Sequence, residues 1–259
     1  QRAVASLLPD EALVVINGGH RCADGLSGSS MTLSENVGVP AGRDIGLRAT
    51  SSELVGFLDD DAELLGDITH IRRSFDADPR LGAVALRLVD EEGVTSRRHV
   101  PRLGGRDPDR SGDVALFLGG ACVVRREAYE QVGGYFGDLF YGHEEVELCW
   151  RLVDAGWSIR YLAGTEVFHP RTDIGRHAEG WERTGRNRVL IARTTLPWPI
   201  AVVHVAIWLV VGAWRAPAGQ SRRSYLLGWR SGWQAHVDRA PISWRGVWRL
   251  TRLGRPPVL

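Results

Sequence analysis

The chain contains no lysine: all 32 of its basic residues are arginine, and they nearly balance its 31 acidic residues. It has only three cysteines, Cys22, Cys122 and Cys149, which are far apart and form no C-x-x-C pair. Their scarcity and spacing argue against a disulfide scaffold and favour a reducing, cytosolic compartment. The segment Gln1–Pro9 has no long apolar core, so no secretory leader is predicted there.

Acidic residues are scarce in the last part of the chain. From Arg215 to Leu259 there are nine arginines and one acid, Asp238, and seven of the ten tryptophans follow Pro197. Arginine and tryptophan together favour contact with an anionic membrane surface. The alternatives are a helical subdomain that buries its tryptophans, or a dimer interface. No recognised nucleic-acid module surrounds the arginines, so nucleic acid is not a predicted partner.

The segment Leu196–Trp214 is almost entirely apolar. Its uninterrupted helical part, Ile200–Trp214, falls well short of a bilayer core of about 30 Å at about 1.5 Å per residue. The sequence therefore predicts an interfacial or re-entrant helix rather than a full span.

Apolar runs alternate with helical patterns through roughly the first 175 residues. This alternation predicts an α/β fold with a mainly parallel sheet flanked by helices. Ligands of such sheets bind at the carboxyl ends of strands. The predicted strands are Ala12–Ile16, Leu54–Leu58, Gly82–Val89, Val114–Val124, Ser158–Leu162 and Thr165–His169, and the predicted helices are Ala41–Thr50, Glu63–Asp78, Arg126–Val132 and Glu144–Ala155.

Two acidic clusters and one histidine stand at the ends of these elements. Asp59, Asp60 and Asp61 follow a predicted strand, Glu144, Glu145 and Glu147 open a predicted helix, and His169 ends a late strand. Carboxylates and an imidazole so placed could hold a divalent metal and a general base near one phosphate ester.

Each of these features also has a purely structural interpretation. The aspartates could cap a helix beginning near Glu63, and the glutamates could be solvated acids favoured by a helix dipole. His169 could be a buried structural histidine, and Arg43 a surface salt bridge. Arg151 is predicted to pair with an acid of its own helix. The glycine pairs 119–120 and 133–134 suit either close approach to a sugar or ordinary turns.

Taken together, the motifs resemble those of the family 2 glycosyltransferases of the GT-A fold, particularly bacterial rhamnosyltransferase-like members. The resemblance covers about residues 5–175 and rests on five segments in the family's order. They are Val15–His20, Asn36–Asp44, Leu58–Asp61, Gly133–Phe140 and His143–Leu152.

The resemblance implies a metal-dependent inverting transferase. Asp61, with Asp59 and His169, would bind Mg²⁺ or Mn²⁺. Asn17, Arg43, Asp59 and Asp60 would hold a nucleoside diphosphate sugar. Glu145 would be the catalytic base, with Glu144 as the fallback. The acceptor would be a hydroxyl of a lipid-linked, polysaccharide or natural-product molecule.

The chain departs from the family pattern near its start, where only Gln1–Leu8 precedes the strand at Ala12. The family's first strand is therefore predicted to be truncated, within a catalytic domain over residues 1–175. Residues 176–259 are predicted to form a helical, membrane-associating region. The protein would then be cytoplasmic and peripheral on the inner face of the membrane.

Three other interpretations stay open at this point. The chain could be a non-catalytic, membrane-associated scaffold or a sugar-nucleotide sensor of the same fold. A nucleotidyltransferase is a weaker alternative, because attack on phosphorus needs no base opposite a sugar carbon. Homo-oligomerisation is also left open.

Overall fold

The computed structural model of the chain describes residues 12–18, 29–171 and 178–259. The segment Gln1–Pro9, Cys22 and the end of the first turn at His20 lie outside these ranges.

A small two-stranded sheet precedes the main one. Strand β1 (Leu13–Asn17) pairs in parallel with β2 (Ser29–Leu33), which the sequence patterns did not predict. Helix α1 (Val39–Arg48) follows, with a proline in its first turn, close to the predicted helix Ala41–Thr50. Gly46 of α1 lies directly against Val15, so the helix packs closely on β1.

The main sheet has six strands and is mixed rather than mainly parallel. Its order is β3-β7-β5-β8-β4, with β6 paired to β8, and it comprises β3 (Leu54–Leu58), β4 (Glu63–Leu65), β5 (Leu81–Val89), β6 (Gly112–Asp113), β7 (Ala121–Arg125) and β8 (Ser158–Phe168). Only β5 and β8 run parallel, and the β3–β7, β5–β7, β4–β8 and β6–β8 pairs are antiparallel. The sheet nevertheless keeps the helix-flanked α/β arrangement that the sequence predicts.

The predicted helix Glu63–Asp78 is wrong in its first part. Residues 63–65 form β4, which pairs with the end of β8, and helix α2 runs only from Thr69 to Ala77. Gly66 separates the two with a φ of 86°. A helix cap by Asp59–Asp61 is excluded by the same observation, because a strand follows the aspartates.

The remaining elements of this region agree more closely with the sequence. Helix α3 spans Arg126–Gln131, and α4 spans Glu144–Ala155 and ends at Gly156, whose φ is 96°. The strand predicted over Val114–Val124 is confined to β7. The two short strands predicted after α4 are one strand, β8, with a register shift opposite Leu86 and Arg87.

Four helices complete the chain: α5 (Ala178–Thr195), α6 (Trp198–Arg215), α7 (Gln220–Gln234) and α8 (Trp244–Arg252). Leu190 and Ile191 of α5 and Leu250 of α8 are fully buried in the same core as the sheet residues Ala83 and Ile159. The C-terminal helices therefore pack as part of the structure that supports the sheet.

Helix α6 presents most of its surface outward. Only Ala201, His204 and Gly212 are buried among its 18 residues, and Val210 and Trp214 are 70% and 79% exposed. It is longer than the uninterrupted stretch Ile200–Trp214, because Pro199 lies in its first turn, where proline does not break a helix. Among the helices that the structure describes, only α6 is long and apolar enough to cross a membrane.

Candidate active site

One edge of the main sheet gathers most of the predicted site residues. Strands β3, β5 and β8 end at this edge, while β4 and β7 begin there, because Leu58 pairs with Ala121 and Phe168 pairs with both Glu63 and Val89. Asp59 directly follows β3, and His169 directly follows β8. The mixed topology thus brings together residues that are more than a hundred positions apart.

Asp59, Asp61 and His169 form a group that could hold a metal ion. One potential ligand atom from each lies within 4.8 Å of the others. The His169 Nε2 atom is 3.4 Å from Asp61 Oδ1 and 3.8 Å from Asp59 Oδ2. Two carboxylates and an imidazole are a ligand set suited to Mn²⁺ and compatible with Mg²⁺.

The hydrogen bonding of His169 fits a role as a ligand. Its Nδ1 lies 2.8 Å from the carbonyl oxygen of Pro170, which can only accept a hydrogen bond, so Nδ1 carries the proton. In the neutral ring, Nε2 then faces the two carboxylates with a lone pair, an unfavourable arrangement unless a cation or proton lies between them. The residues present therefore fit a divalent cation.

Arg43 joins this group to the acids of α4. Its guanidinium contacts Asp59 Oδ1 at 2.9 Å through Nη2 and Glu145 Oε1 at 3.3 Å through Nη1. The side chain is only 15% exposed, so this is an interior ion pair within the site rather than a surface salt bridge. Burial alone would lower the pKa of Arg43, but the charges of Tyr135, Glu145 and Asp59 outweigh burial, and the net pKa is raised.

The acids of α4 are not solvated. Glu145 is half-buried and accepts a hydrogen bond from the Gly119 backbone N–H at 3.1 Å. Glu144 is 3% exposed, and one of its carboxyl oxygens has no hydrogen-bond partner. Burial, and then the charge of Glu145, raise the pKa of Glu144 to about 8. The interpretation of these residues as solvated acids at a helix start is therefore wrong.

The third glutamate, Glu147, has a structural role. It is buried, its carboxylate pairs with Arg151 Nε at 2.6 Å, and it accepts a hydrogen bond from Thr195 Oγ1 at 3.1 Å. The predicted internal ion pair of Arg151 is confirmed. Arg151 also donates to the carbonyls of Val132 and Gly134, so the pair fixes α4 to α5 and to the turn that follows α3.

Gly119 and Gly120 leave space for the charged side chains. A Cβ atom on Gly119 would overlap the Arg43 guanidinium and the Glu145 carboxylate, and one on Gly120 would overlap the Asp59 carboxylate. The sequence did not distinguish between close approach to a sugar and an ordinary turn at these glycines. The structure shows that they allow the site's side chains to lie against the backbone at the start of β7.

Two predicted site residues form no hydrogen bond or ion pair with this group within the described ranges. Asn17, at the end of β1, donates to the Gly38 carbonyl and accepts from the Val37 N–H, both at 2.9 Å. Its amide thus orders the loop ahead of α1. Asp60 is exposed in the turn after β3 and, among the residues described, forms no ion pair with Arg43 or His169.

His99 is a neighbour of the site to which the sequence assigned no role. Its ring meets that of His169 edge to face, with centroids 6.1 Å apart. Burial, and then the charge of Arg98, lower the pKa of His99 to about 4, so its ring is neutral. No local sequence signal marks this residue, because it comes from the long segment between β5 and β6.

Comparison with known proteins agrees with this arrangement. Residues 29–133 match the family model described as Glycosyl transferase family 2. These residues, about two fifths of the chain, are similar to a family 2 glycosyltransferase domain. The matched region contains Arg43, Asp59 and Asp61, and it ends before Glu145 and His169.

Two curated relatives of the family 2 domain come from Mycobacterium tuberculosis. The chain is 29% identical over 186 residues to a pre-mycofactocin glycosyltransferase, covering 65% of this chain and 39% of that protein. It is 28% identical over 178 residues to an N-acetylglucosaminyl-diphospho-decaprenol L-rhamnosyltransferase, covering 57% of this chain and 52% of that protein. The chain thus spans about half or less of the length of these relatives. The predicted resemblance to family 2 is confirmed.

Solved structures confirm the GT-A fold. GalNAc-T7 with UDP, GalNAc and Mn²⁺ superposes with a TM-score of 0.59 at 14% identity, covering 86% of this chain and 48% of that one. The Pyrobaculum calidifontis mannosyltransferase PcManGT in complex with GDP-Man and Mn²⁺ gives 0.52 at 17% identity, covering 88% and 67%. Both of these proteins were crystallised with Mn²⁺ and a nucleotide or nucleotide sugar.

Proposed function

We propose that this chain is an inverting, metal-dependent glycosyltransferase that moves a sugar from a nucleoside diphosphate donor to an acceptor hydroxyl. One observation carries the proposal: Arg43 contacts both Asp59 of the cation group and Glu145, at 2.9 and 3.3 Å. A metal-dependent inverting transfer uses a cation at the leaving diphosphate and a base at the attacking hydroxyl, on opposite faces of one sugar carbon. The arrangement supports this division of roles.

In the proposed enzyme, Asp59, Asp61 and His169 bind Mg²⁺ or Mn²⁺. The bound cation would neutralise charge that develops on the leaving diphosphate. Arg43 supplies a second positive charge beside it and would pair with phosphate oxygens in exchange for part of its contact with Asp59. Asp60 borders the ribose, and Asn17 contributes by ordering the loop beside the nucleotide.

Glu145 is the proposed catalytic base. It would accept the proton of the acceptor hydroxyl as that oxygen attacks the anomeric carbon. The raised pKa of Glu144, about 8, supports this choice, because a carboxyl group that is protonated at neutral pH cannot take a proton. Glu144 remains the fallback only at alkaline pH.

The proposed acceptor is a lipid-linked molecule, with a polysaccharide or natural product as alternatives. One curated relative is named for a decaprenyl diphosphate-linked acceptor. The outward apolar face of α6 supports peripheral attachment to the inner face of the membrane. Residues 1–175 would carry the transferase site, and residues 176–259 would hold it at the membrane.

Donor binding and chemistry can be tested separately. Thermal shifts with UDP-, GDP- and dTDP-linked sugars, with and without Mn²⁺, should reveal one preferred donor, because a bound nucleotide stabilises the fold by mass action. Asp61→Asn should remove the Mn²⁺-dependent part of the shift. No Mn²⁺-dependent shift with any donor would contradict the proposal.

Glu145→Gln should abolish transfer yet leave donor binding nearly intact, since the amide cannot accept the proton. Glu144→Gln is the matched control and should retain most activity at neutral pH. Equal loss of donor binding and transfer in Glu145→Gln would assign Glu145 to binding or folding. Metal-dependent donor hydrolysis by the parent protein would distinguish an enzyme from a scaffold.

A further inference from the structure

Three arginines lie near one another close to the start of α4, and none of them pairs with an acid among the described residues. The Arg188 guanidinium carbon lies 3.5 Å from the centre of the Trp208 ring, and that of Arg215 lies 5.6 Å from the same ring. A hydrogen bond between His204 Nδ1 and the Pro257 carbonyl, 2.8 Å long, holds the C-terminal segment against α6. We call Arg188, Arg215 and Arg255 the basic cluster.

The basic cluster lacks the carboxylate partners that Arg43 and Arg151 have. Within the described ranges, the guanidinium groups of Arg188, Arg215 and Arg255 form no hydrogen bond or ion pair. Arg188 and Arg255 are half-buried, and Arg188 Nε is buried with no hydrogen-bond partner. A buried cation without a counter-charge is unfavourable, so the arrangement favours an anion that completes it.

The lowered pKa values of two arginines in the cluster also favour a bound anion. Burial lowers the pKa of Arg188 to about 9, and the charges of Arg255 and Arg215 act in the same direction. Burial also lowers the pKa of Arg255. The surroundings therefore contain too little negative charge to compensate these cations.

Neutral polar atoms beside the cluster are also unpartnered. The Trp208 indole N–H and His143 Nδ1 are buried without hydrogen-bond partners. The indole can only donate, as can the guanidinium groups. The missing group is therefore one with several acceptor oxygens. Asn187, the neighbour of Arg188, donates to the Gly142 carbonyl at 2.9 Å, which places the cluster close to the start of α4. Burial, and then the charge of Arg188, lower the pKa of His143, which directly precedes Glu144.

We propose that the basic cluster binds the diphosphate of a lipid-linked acceptor. Arginine forks match phosphate oxygens in geometry and charge, and two or three of them suit a diphosphate. The lipid source follows from the neighbourhood, because Arg215 adjoins Trp214 on the exposed apolar face of α6. The assignment rests on the proposed transferase function, since it names the acceptor that the cluster would hold beside Glu145.

Binding of geranyl diphosphate to the full chain, measured by titration calorimetry, tests the proposal. The measurement is made in EDTA and without donor, so that the Asp59, Asp61 and His169 group cannot capture the probe through a metal. Arg188→Gln and Arg255→Gln should each weaken binding about tenfold. Arg245→Gln, which removes an exposed arginine of α8, is the matched control and should bind like the parent chain.

Inorganic pyrophosphate and geraniol separate the sources of the ligand. Binding of geranyl diphosphate about tenfold tighter than pyrophosphate supports a lipid-linked ligand. Equal binding supports the site but assigns it to a soluble diphosphate. Tighter binding of geraniol than of pyrophosphate, or equal effects of Arg188→Gln and Arg245→Gln, would overturn the proposal.

Folding and catalysis are controlled separately. Arg188→Gln should leave the thermal midpoint of the ligand-free chain unchanged or raised, because it removes an uncompensated charge, and Arg255→Gln provides an independent variant. Glu145→Gln should bind geranyl diphosphate normally while losing transfer. If no transfer is found but binding depends on Arg188, the proposed transferase function fails and the diphosphate site stands.

Discussion

Arginine is neutralised differently in the two halves of this molecule. In the sheet region, carboxylates surround it: Arg43 contacts Asp59 and Arg151 contacts Glu147. The arginines of both pairs are largely buried, and Arg43 also contacts Glu145, which lies 102 residues later in the chain. The sheet region can therefore hold its charges at fixed positions, which is what a preorganised active site requires.

In the C-terminal helices, ring faces and carbonyl oxygens replace the carboxylates. Arg193 lies over the Trp233 ring and donates to the carbonyls of Gly232 and Ala235. Arg239 lies over the Trp198 ring, with its guanidinium carbon 4.1 Å from the centroid. These contacts stabilise the cation but leave its charge uncancelled. This region therefore presents net positive charge to its surroundings, whereas the sheet region does not.

The strongest test of the comparison removes one carboxylate from a buried pair. Glu147→Ala should lower the free energy of unfolding by about 3–5 kcal/mol, because it leaves Arg151 buried without a counter-charge. Urea unfolding followed by circular dichroism measures the change. Glu130→Ala removes the half-exposed partner of Arg126 and should cost about 0.5 kcal/mol or less. Equal effects of the two substitutions would contradict the comparison.

A substitution that displaces the paired charges should reduce transfer. Gly119→Ala places a methyl group where the Arg43 guanidinium and Glu145 carboxylate now lie, and we expect kcat/KM for transfer to fall about 100-fold. Gly164→Ala is the control, since Gly164 has open space around its Cβ position. Activity of Gly119→Ala near that of the control would show that the observed side-chain positions are not needed for turnover.

The pH dependence of stability should show whether the buried Glu144 carboxyl group of the sheet region is protonated near neutral pH. Glu144 has a pKa of about 8, raised from 4.5, so the folded state binds the proton more tightly than the unfolded state. Its contribution to stability is present below pH 4.5 and is lost as pH rises toward 8. Between pH 6 and 7.5 the loss should be about 2 kcal/mol.

Glu144→Gln cannot titrate and should flatten this part of the stability profile. Urea midpoints measured at four pH values in that window would show the difference between the two proteins. A parent profile as flat as that of the variant would mean that Glu144 is ionised throughout, in which case it could compete with Glu145 as the base.

The smallest expected effect concerns the positive surface of the C-terminal helices. Replacing the exposed pair Arg222 and Arg223 of α7 by glutamine should weaken binding to phosphatidylserine vesicles about tenfold, as measured by flotation. The same change at Arg97 and Arg98, an exposed pair in the segment between β5 and β6, is the matched control. A similar loss from both pairs would indicate that overall charge, rather than the helical region, governs vesicle binding.

Local signals in the sequence predicted several elements correctly. Strand Leu54–Leu58 was recognisable because an apolar run stops at three aspartates, and helix α4 because Gly156 ends its apolar stripe. The convergence of Asp59, Asp61 and His169 followed from placing each at a strand end. Their proximity is therefore a consequence of the fold class rather than of any one motif.

Other features depend on contacts that no local pattern records. Leu64 and Leu65 continue the helical spacing of Ile68, Ile71 and Phe75, but residues 63–65 pair with β8, about a hundred residues later. The antiparallel direction of β7 is likewise set by its neighbours β3 and β5. The Asn17 amide forms hydrogen bonds with the backbone of Val37 and Gly38, which lie about twenty residues later in the chain.

The side-chain amide of Asn187 has a consequence for the modularity of the protein. It donates to the carbonyls of Leu139, Tyr141 and Gly142, so a single fully buried NH₂ group on α5 secures the loop that leads into Glu144. Replacing the C-terminal helices with those of a relative would therefore also shift the loop before α4 and, with it, the proposed base Glu145. A graft meant to change only membrane attachment would have to carry this asparagine along.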